Sequence, residues 1–512
     1  MSKPKWANPK WGSWADFPDP IPEDKIISTD SADVLIVGAG LSGVTAALRS
    51  AQNGASVIVV EKTGKWNARG GNIGVPESKF LTSKGITIDK YEFAREWVKR
   101  CTSRCDERVL WLYINHSKEA MDWMLDIVTK DGLTRPIVQG AIYHGETYRE
   151  LPGSHRFFDG PYHKKGARPG ATDCVAEMYR LSVELGVKYI FNSPAEQLIK
   201  DADGRIIGVI AKGPDGYIKV LGKNGVILAT GDIGGNPEMC EDLCPDANRC
   251  VKNVYTPAGA NTGDGHRMGL WAGGFFDGDP LPAMLHPQYP SVRNYCFLFV
   301  NKKGDRFMNE DNYIQGKCNQ ILYQQDSTAW ALIDSDWEKK VPRTLPYGGG
   351  IFWDQDNELG DEWNVQLDRE ALGRAEKGGT LLWADTIEEL ADKMGVPKDR
   401  LKKSFDRYNE LCEKGVDKDL GKRRELMVPL DKPPYGAIKF GSTLLVVVGG
   451  LRVNDRLQVI NKDLDPIPGL YAIGNAAGGR YGSDYPLVIP GNSHGSAMVF
   501  GYMAGEFITG KQ

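Results

Sequence analysis

The sequence predicts an α/β protein in which a Rossmann-like dinucleotide-binding domain is interrupted by an inserted α+β capping domain. Three observations carry this. Val34-Leu35-Ile36-Val37 is an apolar, mostly β-branched run that reads as a buried parallel strand. It leads into Gly38-Ala39-Gly40-Leu41-Ser42-Gly43 and a helical run to Gln52, the tight turn and helix start that receive a pyrophosphate. A matching strand closed by glycine, Gly469 to Asn475, appears only near the far end of the chain, so the sheet is discontinuous in sequence.

The second strand, Ser56 to Val60, ends on Glu61-Lys62. Glu61 stands about 20 residues after the glycine turn, where a carboxylate accepts hydrogen bonds from ribose hydroxyls and repels a 2′-phosphate. Ala68 to Gly74 is a glycine-rich loop, with Gly70, Gly71 and Asn72 placed to wrap the middle of a dinucleotide. Helical periodicity runs from Ile88 to about Lys130. Residues 140–170, rich in Gly, His, Tyr and Arg, read as a long functional loop. A helix over Cys174 to Leu185 is followed by short strands at Lys188–Phe191, Arg205–Ile210 and Tyr217–Val220. Gly225 to Asp232 reads as another buried strand, carrying Ala229, Thr230 and Gly231 to the same sheet edge, and Thr386 to Leu411 as a charged helix. The resulting division is a 1–30 arm, a 31–283 first part of the dinucleotide domain, a 284–440 cap and a 441–512 second part.

Composition narrows the function. A chain of 512 residues with 41% hydrophobic content exceeds ordinary single-domain size. Its 63 basic and 67 acidic residues argue against a nucleic-acid surface, and no stretch reaches the ~18 apolar residues of a membrane span. Residues 1–29 carry four Trp or Phe and five Pro without an apolar signal core, and read as an arm over the surface or a neighbouring subunit, a route to a homo-oligomer. The expected location is cytoplasmic. The nine cysteines form no paired framework and are expected reduced; Cys240, Cys244 and Cys250 lack iron–sulfur spacing, and no metal site is expected.

With these pieces placed, the chain resembles the flavoprotein family of fumarate reductases, succinate dehydrogenase flavoprotein subunits and 3-ketosteroid dehydrogenases, from about Ser31 to Gly505. The resemblance is carried by the glycine turn, Ala229-Thr230-Gly231, Asn261-Thr262-Gly263-Asp264-Gly265, His286-Pro287, the segment from Val300 to Glu310, and Gly474-Asn475 to Gly479. It implies non-covalent FAD, with Asn261, Thr262, Asp264, Gly474, Asn475 and Ser493 joining the cofactor contacts. It also implies hydride transfer between flavin N5 and a carbon β to an electron-withdrawing group, with an electron partner such as a quinone, a redox protein or an NADH-linked donor.

The departures bear on the substrate. Fumarate-type enzymes carry a proton-donating Arg where this chain has Ile314, preceded by Tyr313, and a carboxylate-gripping His where it has Leu445 to Val448. Arg293 falls where an Arg of their proton path stands, but Pro290 replaces the acid before it. The 3-ketosteroid dehydrogenases instead use a tyrosine near the Tyr313 position as acid/base and a Tyr-Pro-Gly segment, here similar to Tyr485-Pro486 and Gly491, to hold a ketone. The resemblance therefore implies a reductase or dehydrogenase of a C=C bond α,β to a ketone in a bulky, mostly apolar substrate, a 3-ketosteroid or cyclic enone. Two rivals stand beside it: an enoate reductase using His286, Arg293 or Arg480 as anion clamp, and an electron-transfer flavoprotein subunit.

Overall fold

In the computed structural model the described residues are all but Met1, Gly70, Ala141, residues 163–169, 278–279, Tyr289, Ser291, residues 293–295, 352–356 and Gln512. Strand Ile26–Val37 lies at the centre of the first sheet, parallel to Val57–Val60 on one side and Tyr217–Leu228 on the other. Outward from these, Lys188–Ile190 joins the first neighbour and Pro466–Ala472 the second, both parallel. Residues Val34 to Val37 are buried on both faces, which is why the run is apolar without alternation. Helix Leu41–Gln52 packs against Ala171–Glu184 and the C-terminal helix Asn492–Ile508. The last contact is close because a Cβ on Gly501 would stand 2.5 Å from Ser42 O.

A second, six-stranded sheet is organised on one long strand, Tyr435–Val447. It pairs antiparallel with Ala283–Gln288, Thr328–Asp334 and Leu381–Ala384, and parallel with Lys252–Asn253. A separate apolar core fills its helical side, where Leu390, Leu401 and Phe405 meet Ile333 and Ile438. In sequence this unit falls between Tyr217–Leu228 and Pro466–Ala472 of the first sheet. Its central strand crosses the expected division at 440 and stays in the second sheet to Val447.

Several expected elements differ in extent. The 88–130 helical run is two helices, Lys90–Arg100 and Glu107–Val128, because Thr102 and Ser103 take positive φ and Asp106 caps a new start. The 386–411 helix breaks at Gly395, φ 68°, ahead of Pro397. The two expected strands at 217–220 and 225–232 are one, Tyr217–Leu228. The loop at 140–170 holds a strand, Ser154–Phe158, paired with Ile73–Gly74 and Arg135–Val138. The N-terminal arm lies on its own chain: Trp14 Nε1 donates to Asp242 at 2.7 Å, Trp6 Nε1 to Leu270 O at 2.8 Å, and Trp11 packs on Phe276. Its aromatic residues are thus engaged within the subunit. Among the described residues no helix is long and apolar enough to cross a membrane, and no cluster of His, Cys, Asp and Glu could hold a metal.

Candidate active site

A cavity of ≈ 330 Å³ runs from the glycine turn to the second sheet. At one end the strand Ile26–Val37 delivers Gly38, Gly40, Leu41 and Ser42 to its wall, and Val57–Val60 delivers Glu61. Gly38 takes φ 108°, and a Cβ there would stand 2.4 Å from Ala229 O, so only glycine allows this turn beside its neighbouring strand. Gly43 serves packing instead: its Cβ would stand 2.0 Å from Gly38 O. The helix start at Gly40 has no side-chain cap, which leaves its first N–H groups for a ligand. Asn492–Ile508 likewise begins at Gly491, φ 80°, uncapped, with Ser493 and His494 on the same cavity.

Glu61 is set by the turn it faces. One carboxylate oxygen accepts from Ala39 N at 2.8 Å, the other from Thr63 N at 2.8 Å and Thr63 Oγ1 at 2.7 Å. Lys62 Nζ bonds Asp264 at 2.8 Å and Thr262 Oγ1 at 2.8 Å. Thr230 lines the cavity, while its Oγ1 is buried toward Gly265 without a protein partner. The uncapped helix start at Gly40 and the fixed Glu61 carboxylate fit a dinucleotide cofactor.

The other end is mostly apolar, walled by Met284, Leu445, Val446, Leu487 and Pro490. The cavity is also lined by Arg69, Tyr255, His286, Gln288 and His494, with the Tyr255 hydroxyl 3.1 Å from where a Cβ on Gly231 would stand. Arg69 reaches from the glycine-rich loop to donate to Leu445 O and, at 3.4 Å, to Val254 O, with its guanidinium 5.4 Å from the Tyr255 ring centroid. Burial, helped by the Arg69 charge, pushes His286 down to about 3 and His494 to about 4. Both are neutral at pH 7. His494 Nδ1 lies 2.9 Å from Asn72 O, an acceptor only, so Nδ1 carries the proton and Nε2 is left as an acceptor.

Of the expected cofactor contacts, Gly38, Gly40, Leu41, Ser42, Glu61 and Lys62 line the cavity, as do Gly71, Asn72 and Ala229 to Gly231. Asp264, Gly474, Asn475 and Ser493 complete that group. Three stand behind the wall: Gly43, packed on Gly38; Asn261, whose Nδ2 donates to Asp232 at 2.8 Å; and Thr262, held by Lys62 and Asp264. Gly70 and Arg293 lie outside the described residues.

Of the expected catalytic residues, His286 and Gly491 reach the cavity. Tyr313 and Tyr485 do not. Tyr313 stands just ahead of the Ile314–Leu322 helix, 5% exposed, and its hydroxyl donates to Asp484 at 3.3 Å; burial and that carboxylate raise its pKa far above the usual phenol value. Tyr485, 1% exposed, packs on Tyr481 and accepts from Ser493 N at 3.4 Å. Arg480 cannot clamp an anion either, since it is fully buried and donates to Ser496 Oγ, Ala477 O and Gly474 O. Arg69, Tyr255 and His494 were missed. Arg69 carried a readable signal, a cation inside a glycine-rich loop; Tyr255 carried none.

Comparison with known proteins agrees with the cradle. The model of the family described as FAD binding domain matches residues 33–492. The chain belongs to this family. It is 29% identical over 502 residues to the vinyl phenol reductase of Lactiplantibacillus plantarum, covering 93% of this chain and 96% of the relative. It is 26% identical over 575 residues to the 4-oxocyclohex-2-ene-1-carboxylate 5-dehydrogenase of Sinomonas cyclohexanicum, covering 93% and 94%. The fold is that of the 3-ketosteroid-Δ4-(5α)-dehydrogenase of Rhodococcus jostii RHA1, with a TM-score of 0.71 at 22% identity over 94% of this chain and 97% of that one. The FAD-binding chain is an oxidoreductase acting on CH–CH groups.

Proposed function

We propose that this protein reduces or introduces a C=C bond conjugated to a carbonyl in a bulky, largely uncharged substrate of the cyclic enone or 3-ketosteroid type, with FAD held non-covalently. The observation that carries the reading is the charge of the substrate end. Among the described residues the cavity-lining cations are Lys62, paired with Asp264, and Arg69. His286 and His494 are neutral, and Arg480 is engaged by backbone and Ser496. A dicarboxylate would enter an apolar pocket with one guanidinium to meet it, and an unpaired buried carboxylate is costly. A neutral enone asks for one donor at its oxygen and apolar wall elsewhere.

Bound FAD supplies or accepts the hydride at N5. The chain's own part is to hold the substrate between the Gly491 helix start and the Met284 and Leu445 wall, to exclude water with that wall, and to keep His286 neutral beside it. The activities named for the vinyl phenol and 4-oxocyclohex-2-ene-1-carboxylate relatives support a ring substrate that bears an oxygen conjugated to its C=C bond, the second of them with a carboxylate besides. The test is an anaerobic screen in which the photoreduced holoprotein is offered cyclic enones, 3-ketosteroids, acrylate-type acids and fumarate. Flavin reoxidation by enones supports the reading. Reoxidation by fumarate alone would replace it with a carboxylate reductase, and reoxidation by none of them without a protein partner would replace it with an electron-transfer subunit. Denaturation should release all the flavin as FAD.

A further inference from the structure

We infer that Arg69 holds the substrate's carbonyl oxygen and takes up the negative charge that gathers there as the double bond is reduced. This rests on the enone reading and names the residue that reading lacks.

The geometry is specific. Arg69 belongs to the loop that follows Val57–Val60, yet its guanidinium ends on the second sheet, donating to Leu445 O in Tyr435–Val447 and to Val254 O just after Lys252–Asn253. These contacts engage two of the five N–H donors an arginine has and leave others for a ligand in the cavity it lines. Both acceptors are neutral carbonyls. Among the described residues no carboxylate lies within ion-pair distance of Arg69, whereas Lys62 has Asp264. The acid whose charge it feels is Asp232, which does not line the cavity; its Oδ1 accepts from Gly234 N, Asn261 Nδ2 and Val447 N, and its Oδ2 is buried without a hydrogen bond. Two histidines and a tyrosine ring surround the guanidinium without adding charge. A desolvated cation braced by backbone, facing an apolar cavity, suits a charge that arises during the reaction more than one present at rest.

The chemistry balances on that atom. When hydride adds at the β carbon, the π pair of the C=C bond forms the new double bond to the α carbon and the carbonyl pair moves onto oxygen, giving an enolate. A proton from solvent then adds at the α carbon and restores the carbonyl. Arg69 donates to the oxygen throughout, and its hydrogen bond is strongest at the enolate.

The experiment uses phenols as stable mimics of an enolate. A series of para-substituted phenols of falling pKa is titrated into the oxidised holoprotein at pH 7, and binding is read from perturbation of the flavin absorbance. The wild type is expected to bind more tightly as the phenol becomes more acidic. Arg69→Gln, with FAD content and circular dichroism unchanged, is expected to lose that trend and to lower kcat for an enone by about 10²-fold or more at similar KM, the scale of a lost oxyanion donor. An unchanged trend in Arg69→Gln overturns the inference, as does a trend absent from the wild type. So does a shifted flavin potential with the trend intact, which would assign Arg69 to the cofactor. Should Arg69→Gln lose FAD, Arg69→Lys carries the test: it keeps the charge but not the planar fork, so kcat falls about tenfold with KM held, and an unchanged kcat overturns the inference. If no enone reoxidises the flavin while the phenol trend depends on Arg69, the substrate reading falls and the oxyanion site stands.

Discussion

The Glu61 carboxylate accepts a hydrogen bond from Ala39 N at 2.8 Å, so the acid at the end of the second strand is oriented by the glycine turn at the end of the first. Thr63 holds its other oxygen. The carboxylate is preorganised before any ribose arrives. Glu61→Ala removes the brace on the turn together with the carboxylate proposed to accept from the ribose. FAD affinity, measured by ultrafiltration and flavin absorbance, should fall at least tenfold, in keeping with roughly 1.5–3 kcal/mol for one charge-assisted hydrogen bond. Unchanged affinity would place the ribose elsewhere.

Gly43 does not touch the cavity, yet it should be as sensitive as the residues that do. Alanine there puts a methyl group 2.0 Å from Gly38 O, and the helix must move off the strand. Overpacking of this kind costs about 1–3 kcal/mol. Gly43→Ala should lower Tm and release FAD together; a normal Tm with full flavin would show that helix and strand can part without cost.

Tyr313→Phe separates a structural from a chemical tyrosine. The hydroxyl serves Asp484, which also accepts from Gln315 and Asn319 at 2.8 Å each. Losing one donor to a buried acid should cost about 1–3 kcal/mol of stability and leave kcat within a few-fold. A loss of kcat of about 10²-fold at unchanged Tm would mean that the ring turns into the cavity during turnover.

Acid should destabilise the fold through its buried histidines. His155, His266 and His494 are pushed down to about 4 and His286 to about 3, all by burial. The unfolded chain takes up these protons near the ordinary histidine value of 6.5, so stability is present above that pH and is lost as pH falls through the window from 6.5 to about 4. Asp232 and Asp277 act oppositely: burial raises them to about 6 from 3.8, so below 6 they favour the folded state. Asp484 is raised as well. The four histidines are wider in shift and greater in number, so Tm of the holoprotein should be lower at pH 5 than at pH 7; a higher Tm at pH 5 would mean the acids dominate.

What could be read from sequence was local. The 34–37 strand, the glycine turn and Glu61 declare themselves within about 30 residues, because strand burial, turn and acid share one βαβ unit. The site's far end is made by contacts that no spacing reports: Arg69 meets Leu445 across 376 residues. Tyr313 and Tyr485 stand at the right places along the chain, but their hydroxyls are claimed by Asp484 and Ser493. Asp484 adjoins Tyr485 in sequence and still gave no sign of binding Tyr313, since that depends on how the 484–491 segment packs against the Ile314–Leu322 helix.

The most direct test of the account is a single-turnover comparison. The reduced holoprotein is mixed anaerobically with a cyclic enone, and separately with fumarate at the same concentration, while flavin absorbance is followed. The account predicts rapid return of the oxidised flavin with the enone, formation of one equivalent of the saturated ketone, and no reoxidation above background with fumarate. Rapid reoxidation by fumarate with an inert enone would contradict it.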